Sequence, residues 1–345
     1  MSSNKIGLVF LFIVSLIFLN GCPCPCPPHP PGIQWIWYDN VSDELYAIWG
    51  METWGKSILV FNNIDTANGH ISPARTILPP VFHITNMWLD RASDQLFVIS
   101  PYPNNSILVF TDATTMNGNV TPARVISGTT TALDHGPFYL RVDSNSNQLY
   151  VVNANQNILV FTDATTANGD VAPARRITLT TSEGYGWGCG WGECGWAGPL
   201  IPWFDATSDQ LYLASEDLKG RLSILVFTDV STMNGNVAPA RGFSTTTSSF
   251  PTGLWLDSTS DQLYVETLDS ILVFTDATTA NGDVVPARRI IPTTNGSYPI
   301  PFWLDAASNQ LYLVNYNTKS GVSILVFTDV STMNGNVAPS RVLYP

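Results

Sequence analysis

The chain has 345 residues, of which 45% are hydrophobic and 12% charged, and its formal net charge is −12. That apolar share can bury a core and excludes disorder for most of the length. Lysine and arginine total 15 against 27 acidic residues, which makes the chain a poor candidate for nucleic-acid binding, since that needs basic stripes to displace counterions.

Residues 1–21 read as a secretory leader. Lys5 supplies a thin positive head, and Ile6 to Leu19 form a nearly unbroken apolar run of 14 residues. A helix of that length is too short to cross a hydrocarbon core of about 30 Å. The run ends in Leu19-Asn20-Gly21-Cys22, where small residues before a cysteine suit signal-peptidase cleavage. This stretch resembles the lipobox of bacterial lipoproteins, with Asn20 where Ala or Ser is more usual. The resemblance implies that Cys22 is the lipidated first residue of a mature chain anchored to the extracytoplasmic face of the bacterial cell envelope. An uncleaved anchor helix is the alternative. Residues 22–32 are then a tether. Proline fixes φ, so the segment is expected to be extended, with a reach of about 30 Å. Cys24, Cys26 and His29 sit on that stiff chain, where ligands diverge, so a plain tether is favoured over a metal site.

Residues 33–345 are repeats. The run ILVF recurs six times, starting at Ile58, Ile107, Ile158, Ile224, Ile271 and Ile324, with successive spacings of 49, 51, 66, 47 and 53 residues. Periods near 50 point to propellers or other repeat architectures. Each unit carries four strands. Strand A (as in WLD) ends in an aspartate: Asp39, Asp90, Asp143, Asp205, Asp257 and Asp305. A turn of form x-x-Ser-(Asp/Asn) leads to strand B (as in QLYV), and its short polar side chains can accept turn N–H groups. Strand C is ILVF. A loop containing Asn-Gly, a pair tolerant of positive φ, precedes strand D (ARxI). Strands B and C are continuously apolar, which fits strands covered on both faces. Proline opens strand D in every unit, which predicts an outer rim. The arginine two residues later (Arg75, Arg124, Arg175, Arg241, Arg288, Arg341) is expected to pair with loop acids such as Asp112 or Asp163.

At these residues the chain resembles the NHL/YVTN type of bacterial six-bladed β-propeller, over residues 33–345. The fold class is therefore all-β, a six-bladed β-propeller with four antiparallel strands per blade. The resemblance implies that strand A lines the central channel. Blade 6 ends with its own strand D and blade 1 begins with its own strand A. No shared closing blade is expected, and the ring should close by side-chain packing.

Features identical in six blades are scaffold, so a site must break the pattern. The A–B and C–D turns fall at one end of the ring and are monotonous. The B–C and D–A loops fall at the other and vary, which places binding there. The largest departure is residues 183–202, where Trp187, Trp191 and Trp196 lie among glycines with Cys189 and Cys194 five apart. Broad aromatic faces suit a ligand or partner, and an intraloop disulfide fits a chain outside the cytoplasm. The loop reads equally as a recognition surface and as a self-packed plug over the channel mouth. Trp37, Trp88, Trp203, Trp255 and Trp303 stand two before the aspartate in five blades and read as inter-blade packing. Blade 3 has Arg141 there, either aiming a charge at the channel or paired to a neighbouring acid. His83 and His135 sit in the D–A loops at the variable end, without metal-ligand spacing. No catalytic motif, metal set or cofactor loop stands out. The favoured function is a membrane-anchored, non-catalytic binding or scaffold module for a protein or glycan. The alternatives are a lyase- or lactonase-like propeller enzyme, in which His83 and His135 would matter, and a structural part of an envelope assembly.

Overall fold

A computed structural model describes residues 32–345 except 52–53, 82, 102, 154, 156, 181–200, 218–219, 249, 294–298 and 318–320. Cys22, the tether, and the loop bearing Trp187, Cys189, Trp191, Cys194 and Trp196 lie outside the described residues. Six sheets surround one axis. The chain folds as a six-bladed β-propeller. Blade 5 shows the plan: strand A is Pro251–Asp257, strand B Gln262–Thr267, strand C Ile271–Thr275 and strand D Arg288–Pro292, all antiparallel. Strands A of neighbouring blades approach one another, so they form the innermost layer.

The A–B hairpin is closed by its own side chains. In blade 1, Asp39 Oδ1 accepts the Val41 N–H at 3.2 Å and Oδ2 accepts the Ser42 hydroxyl at 2.5 Å. The same pair of bonds forms at Asp90, Asp143, Asp205, Asp257 and Asp305. The last turn residue (Asp43, Asp94, Asn147, Asp209, Asp261, Asn309) has φ between 51° and 57°, a left-handed conformation that Asp and Asn tolerate. From that position Asp94 Oδ1 accepts the Thr114 N–H at 3.0 Å, tying the hairpin to the C–D loop of the same blade. The continuously apolar strands B and C are buried on both faces, with Tyr46, Tyr212 and Tyr312 fully enclosed.

Strand D is not the outer rim. Five sheets gain a short fifth strand, parallel to D, from the C–D loop of the next blade: in blade 5 this is Gly335–Val337 of blade 6. In blade 2 the same contact is a single bridge between Ile126 and Gly169. The Asn-Gly pair makes this possible, with a division of labour the turn rule did not predict. Only the glycine takes positive φ, from 71° to 78° in the six blades. The asparagine instead accepts a strand D amide of the preceding blade, as Asn168 Oδ1 does from the Val125 N–H at 3.0 Å.

The arginines of strand D do not pair with Asp112 or Asp163. Each reaches into the next blade. Arg175 Nη1 donates to the Val230 and Met233 carbonyls at 2.8 and 2.7 Å, while Nη2 donates to Gln148 of its own blade at 2.5 Å. Its guanidinium lies over the Tyr150 ring, 5.9 Å from the centroid. The carbonyls of that tight loop point away from their own sheet, and a five-donor fork can satisfy two of them at once. Among the described residues Arg75 is the strand D arginine that adds an ion pair, to Glu44 at 2.7 Å, because blade 1 has Glu where the others have Gln.

Closure repeats the same junction. Blade 6 keeps four strands of its own and borrows Gly69–His70 of blade 1, paired with Leu343 and Tyr344. Arg341 Nη1 donates to the Ile64 and Ala67 carbonyls at 2.6 and 2.7 Å. The ring is thus sealed by backbone bonds as well as by side-chain packing, and the four main strands of each blade come from one continuous stretch of chain.

Candidate functional site: an aromatic belt and the chamber above it

The position two before each strand A aspartate faces the same position in the adjoining blades. Ring centroids of Trp37 lie 6.2 Å from Trp88 and 5.6 Å from Trp303. Trp303 is 4.4 Å from Trp255, which is 4.0 Å from Trp203. The gap is filled by Arg141, whose guanidinium carbon is 4.8 Å from the centroids of both Trp88 and Trp203. Five indoles and one guanidinium make a closed belt. A flat cation can stack on two rings at once, which an ammonium cannot do as well. Burial lowers the Arg141 pKa, opposed by Tyr139, Asp205 and Asp143; a guanidinium remains charged at such a site.

The belt divides the axis. On the side of the repeated turns lies a cavity of about 560 Å³ lined by Tyr38, Asp39, Arg91, Asp257 and Asp305. Its acids are engaged: Arg91 pairs with Asp39 at 2.7 Å, and the carboxylates close their own hairpins. A smaller space of about 210 Å³ opens below Arg141, between blades 3 and 4, beside Asp143, Asp205 and Asp209. On the side of the variable loops lies a chamber of about 130 Å³ reached by all six blades, with Trp35, Thr85, Tyr139, Thr252, Gly253 and Phe302 in its wall.

This chamber collects departures from sixfold symmetry. Four residues before the aspartate stand Trp35, Asn86, Tyr139, Ile201, Gly253 and Pro301, a set with no common chemistry. Trp35 Nε1 and Thr85 Oγ1 are buried there without hydrogen-bond partners among the described residues. Behind Gly253 sits Glu266, fully buried, with no ion pair among the described residues. Gly253 and Glu266 are directly opposite across strands A and B. A Cβ at 253 would meet the Phe302 ring at 2.6 Å and Glu266 Oε2 at 2.8 Å, so the glycine leaves room for both side chains. Burial pushes the Glu266 pKa from 4.5 up to about 8, with the Thr252 hydroxyl pulling slightly the other way.

Glu266 escaped the sequence analysis, although a signal exists. At its place in strand B the other blades carry Ile48, Ile99, Val152, Ala214 and Val314. A lone carboxyl in a column of core aliphatics breaks the repeat more sharply than any histidine. His83 is half-buried in the segment entering blade 2 and is engaged by a neighbouring group. His135 ends the short 3-10 turn Leu133–His135 before blade 3. Its side chain is outside the described residues.

No family model matches the chain, and no curated protein matches it. Among solved structures it is similar to the β-propeller domain of Myceliophteria thermophila Cps50 (Swd1), with a TM-score of 0.53 and 12% identity over 90% of this chain and 86% of that one. Kluyveromyces lactis Hsv2 aligns with a TM-score of 0.47 and 12% identity over 87% of this chain and 75% of that one. The C-terminal WD40 domain of Sif2 aligns at 0.45 and 10% identity over 91% and 72%. The likeness to the Cps50 domain is one of fold.

Proposed function

We propose that this chain is an extracytoplasmic, lipid-anchored propeller of NHL/YVTN type that binds a protein or glycan at its variable-loop end and performs no chemistry. One observation carries the reading. The polar groups that recur in all six blades are engaged in hairpins and inter-blade contacts, whereas unpartnered and irregular groups gather around the chamber at one end of the axis. A rigid ring that varies at one mouth is suited to holding a partner there. The lipid anchor at Cys22 and the Trp187–Trp196 loop belong to this proposal, supported by the lipobox-like residues and by the aromatic content of the loop.

Site-specific photo-crosslinking on intact cells tests the binding end. A crosslinker at Thr129, beside the D–A segment of the variable end, should capture a partner, and one at Val41 in the repeated turns should not. Capture only through Val41 would reverse the face assignment. Deleting residues 183–202 should abolish capture; unchanged capture would remove that loop from the proposal. Cys22→Ser should release the chain from the membrane fraction, and retention would favour the uncleaved helix.

A further inference from the structure

We propose that the variable-end chamber is a binding site for an alkylammonium group, with Glu266 as its countercharge and the surrounding aromatic rings as its wall. Three observations lead there. The space is built, not incidental: all six blades reach it, and about 130 Å³ has room for about four waters or a short alkyl chain. Its wall is aromatic, with Trp35, Phe138, Tyr139, Trp203, Trp255 and Phe302 around it, and ring faces attract cations. Beside it sits a carboxyl that nothing in the fold uses. Glu266 makes no ion pair among the described residues, its polar neighbour there is the Thr252 hydroxyl, and at Gly253 no Cβ stands beside it, only the Phe302 ring.

A buried carboxyl without a charged partner costs more stability than any aliphatic residue in its column. The other five blades show that the fold needs only an aliphatic there. Among the described residues, the side chains shown against Glu266 include Thr252, Ile271 and Phe302, none of which ionises near neutral pH. Arg141 is the cation of the belt; its charge acts first on Tyr139 and then on Asp205 and Asp143, and its side chain lines the space on the repeated-turn side rather than this chamber. Tyr139 is the remaining ionisable group on the wall, and burial keeps it neutral. Among the described residues a cation in the chamber therefore has one acid near it, Glu266 behind the wall at Gly253, which is held protonated in its absence. Binding would ionise Glu266 and expel its proton to solvent, so charge balances within the chamber. An indifferent neutral ligand would release none.

The ammonium could come from a free amine or from a lysine side chain of a bound protein, and only the second source rests on the binding-module reading above. The experiment uses the mature chain with n-butylammonium, its neutral isostere n-butanol, and a short lysine-containing peptide with blocked ends. Tryptophan fluorescence reports occupancy, and calorimetry in two buffers of different ionisation enthalpy reports proton release. Expected at pH 7 are at least tenfold tighter binding of butylammonium than butanol, release of a substantial fraction of one proton, and loss of both on Glu266→Gln with butanol binding unchanged. Peptide binding with the same dependence identifies a protein source; butylammonium binding alone identifies a free amine. Equal binding of the two isosteres, or binding without proton release in the wild-type chain, overturns the proposal whether or not E266Q folds. Crosslinking to a partner that is unaffected by E266Q would leave the binding-module reading standing while removing this site.

Discussion

Arg141 and Glu266 are two residues that break their columns, and both do so around the axis. Arg141 substitutes for an indole because its guanidinium covers two ring faces at 4.8 Å each. Cation–π contacts of this kind contribute about 0.5–2 kcal/mol apiece. Arg141→Met keeps the bulk and loses the charge, so urea unfolding should show a loss of about 1–2 kcal/mol. Arg141→Ala also opens a gap in the belt and should lose about 2–4 kcal/mol. Equal stability of R141M and the wild type would mean that the stacking is geometric only. Glu266 makes a prediction of opposite character. Its folded pKa lies near 8 against an ordinary 4.5, so between those values the folded chain keeps a proton that the unfolded chain has lost. Stability should therefore fall as pH rises from about 4.5 to about 8, by at most about 1.4 kcal/mol per pH unit, and level off above that. Glu266→Gln should flatten this contribution in thermal melts across pH 5 to 9. Parallel curves for the two chains would show that Glu266 is solvated. The Trp/Arg column was readable from aligned strand A segments, and the same comparison of strand B would have exposed Glu266. What no alignment of repeats can supply is that Gly253 stands opposite Glu266, since that depends on register between two strands.

The elements were largely legible because their signals are local. Asp-x-x-Ser turns, ILVF runs and Asn-Gly pairs each announce a hairpin or a strand within a few residues. The junctions between blades were not, because their partners are backbone groups tens of residues away. Arg175 looked like one half of an ion pair, yet its partners are carbonyls of Val230 and Met233, which no side-chain pattern marks. The expectation that strand D forms the rim failed for the same reason: the strand that covers it is two or three residues of the next blade's loop. This clasp can be tested at one junction. Arg175→Lys retains the charge but cannot donate to two carbonyls and Gln148 while stacking on Tyr150. It should destabilise by about 1–3 kcal/mol in denaturant unfolding, the range for losing hydrogen bonds to a charged donor. The loop glycine offers a cleaner comparison. A Cβ at Gly169 would meet nothing within 4 Å, so Gly169→Ala isolates the strain of φ 75°. That strain is expected near 1–2 kcal/mol, and a neutral substitution would show that the loop can relax to negative φ.

At the scale of the whole molecule the junction between blades 6 and 1 differs from the other five in one respect. Every other pair of adjacent blades is also joined by the chain running from strand D to the next strand A, whereas this one is held by noncovalent contacts alone. Its bonds are well distributed: Leu343 and Tyr344 pair with Gly69 and His70, Arg341 grips the Ile64 and Ala67 carbonyls, and Tyr312 donates to Asp65 at 3.0 Å. Most of them depend on the last five residues. Removing residues 341–345 leaves the apolar faces of blades 6 and 1 in place but deletes strand D of blade 6, the ladder to Gly69–His70 and the arginine clasp. In a closed ring the loss at one junction is felt by all, because the two freed faces can splay and admit water to both. The truncated chain should therefore lose several kcal/mol, more than Arg175→Lys costs at a covalently linked junction. It should also unfold faster, since opening at this seam no longer has to break a backbone ladder. Stopped-flow unfolding followed by the fluorescence of the belt tryptophans reads both quantities. An unfolding rate within twofold of the intact chain would mean that the seam opens late, and that the belt and core contacts between Trp37 and Trp303 hold the ring shut by themselves.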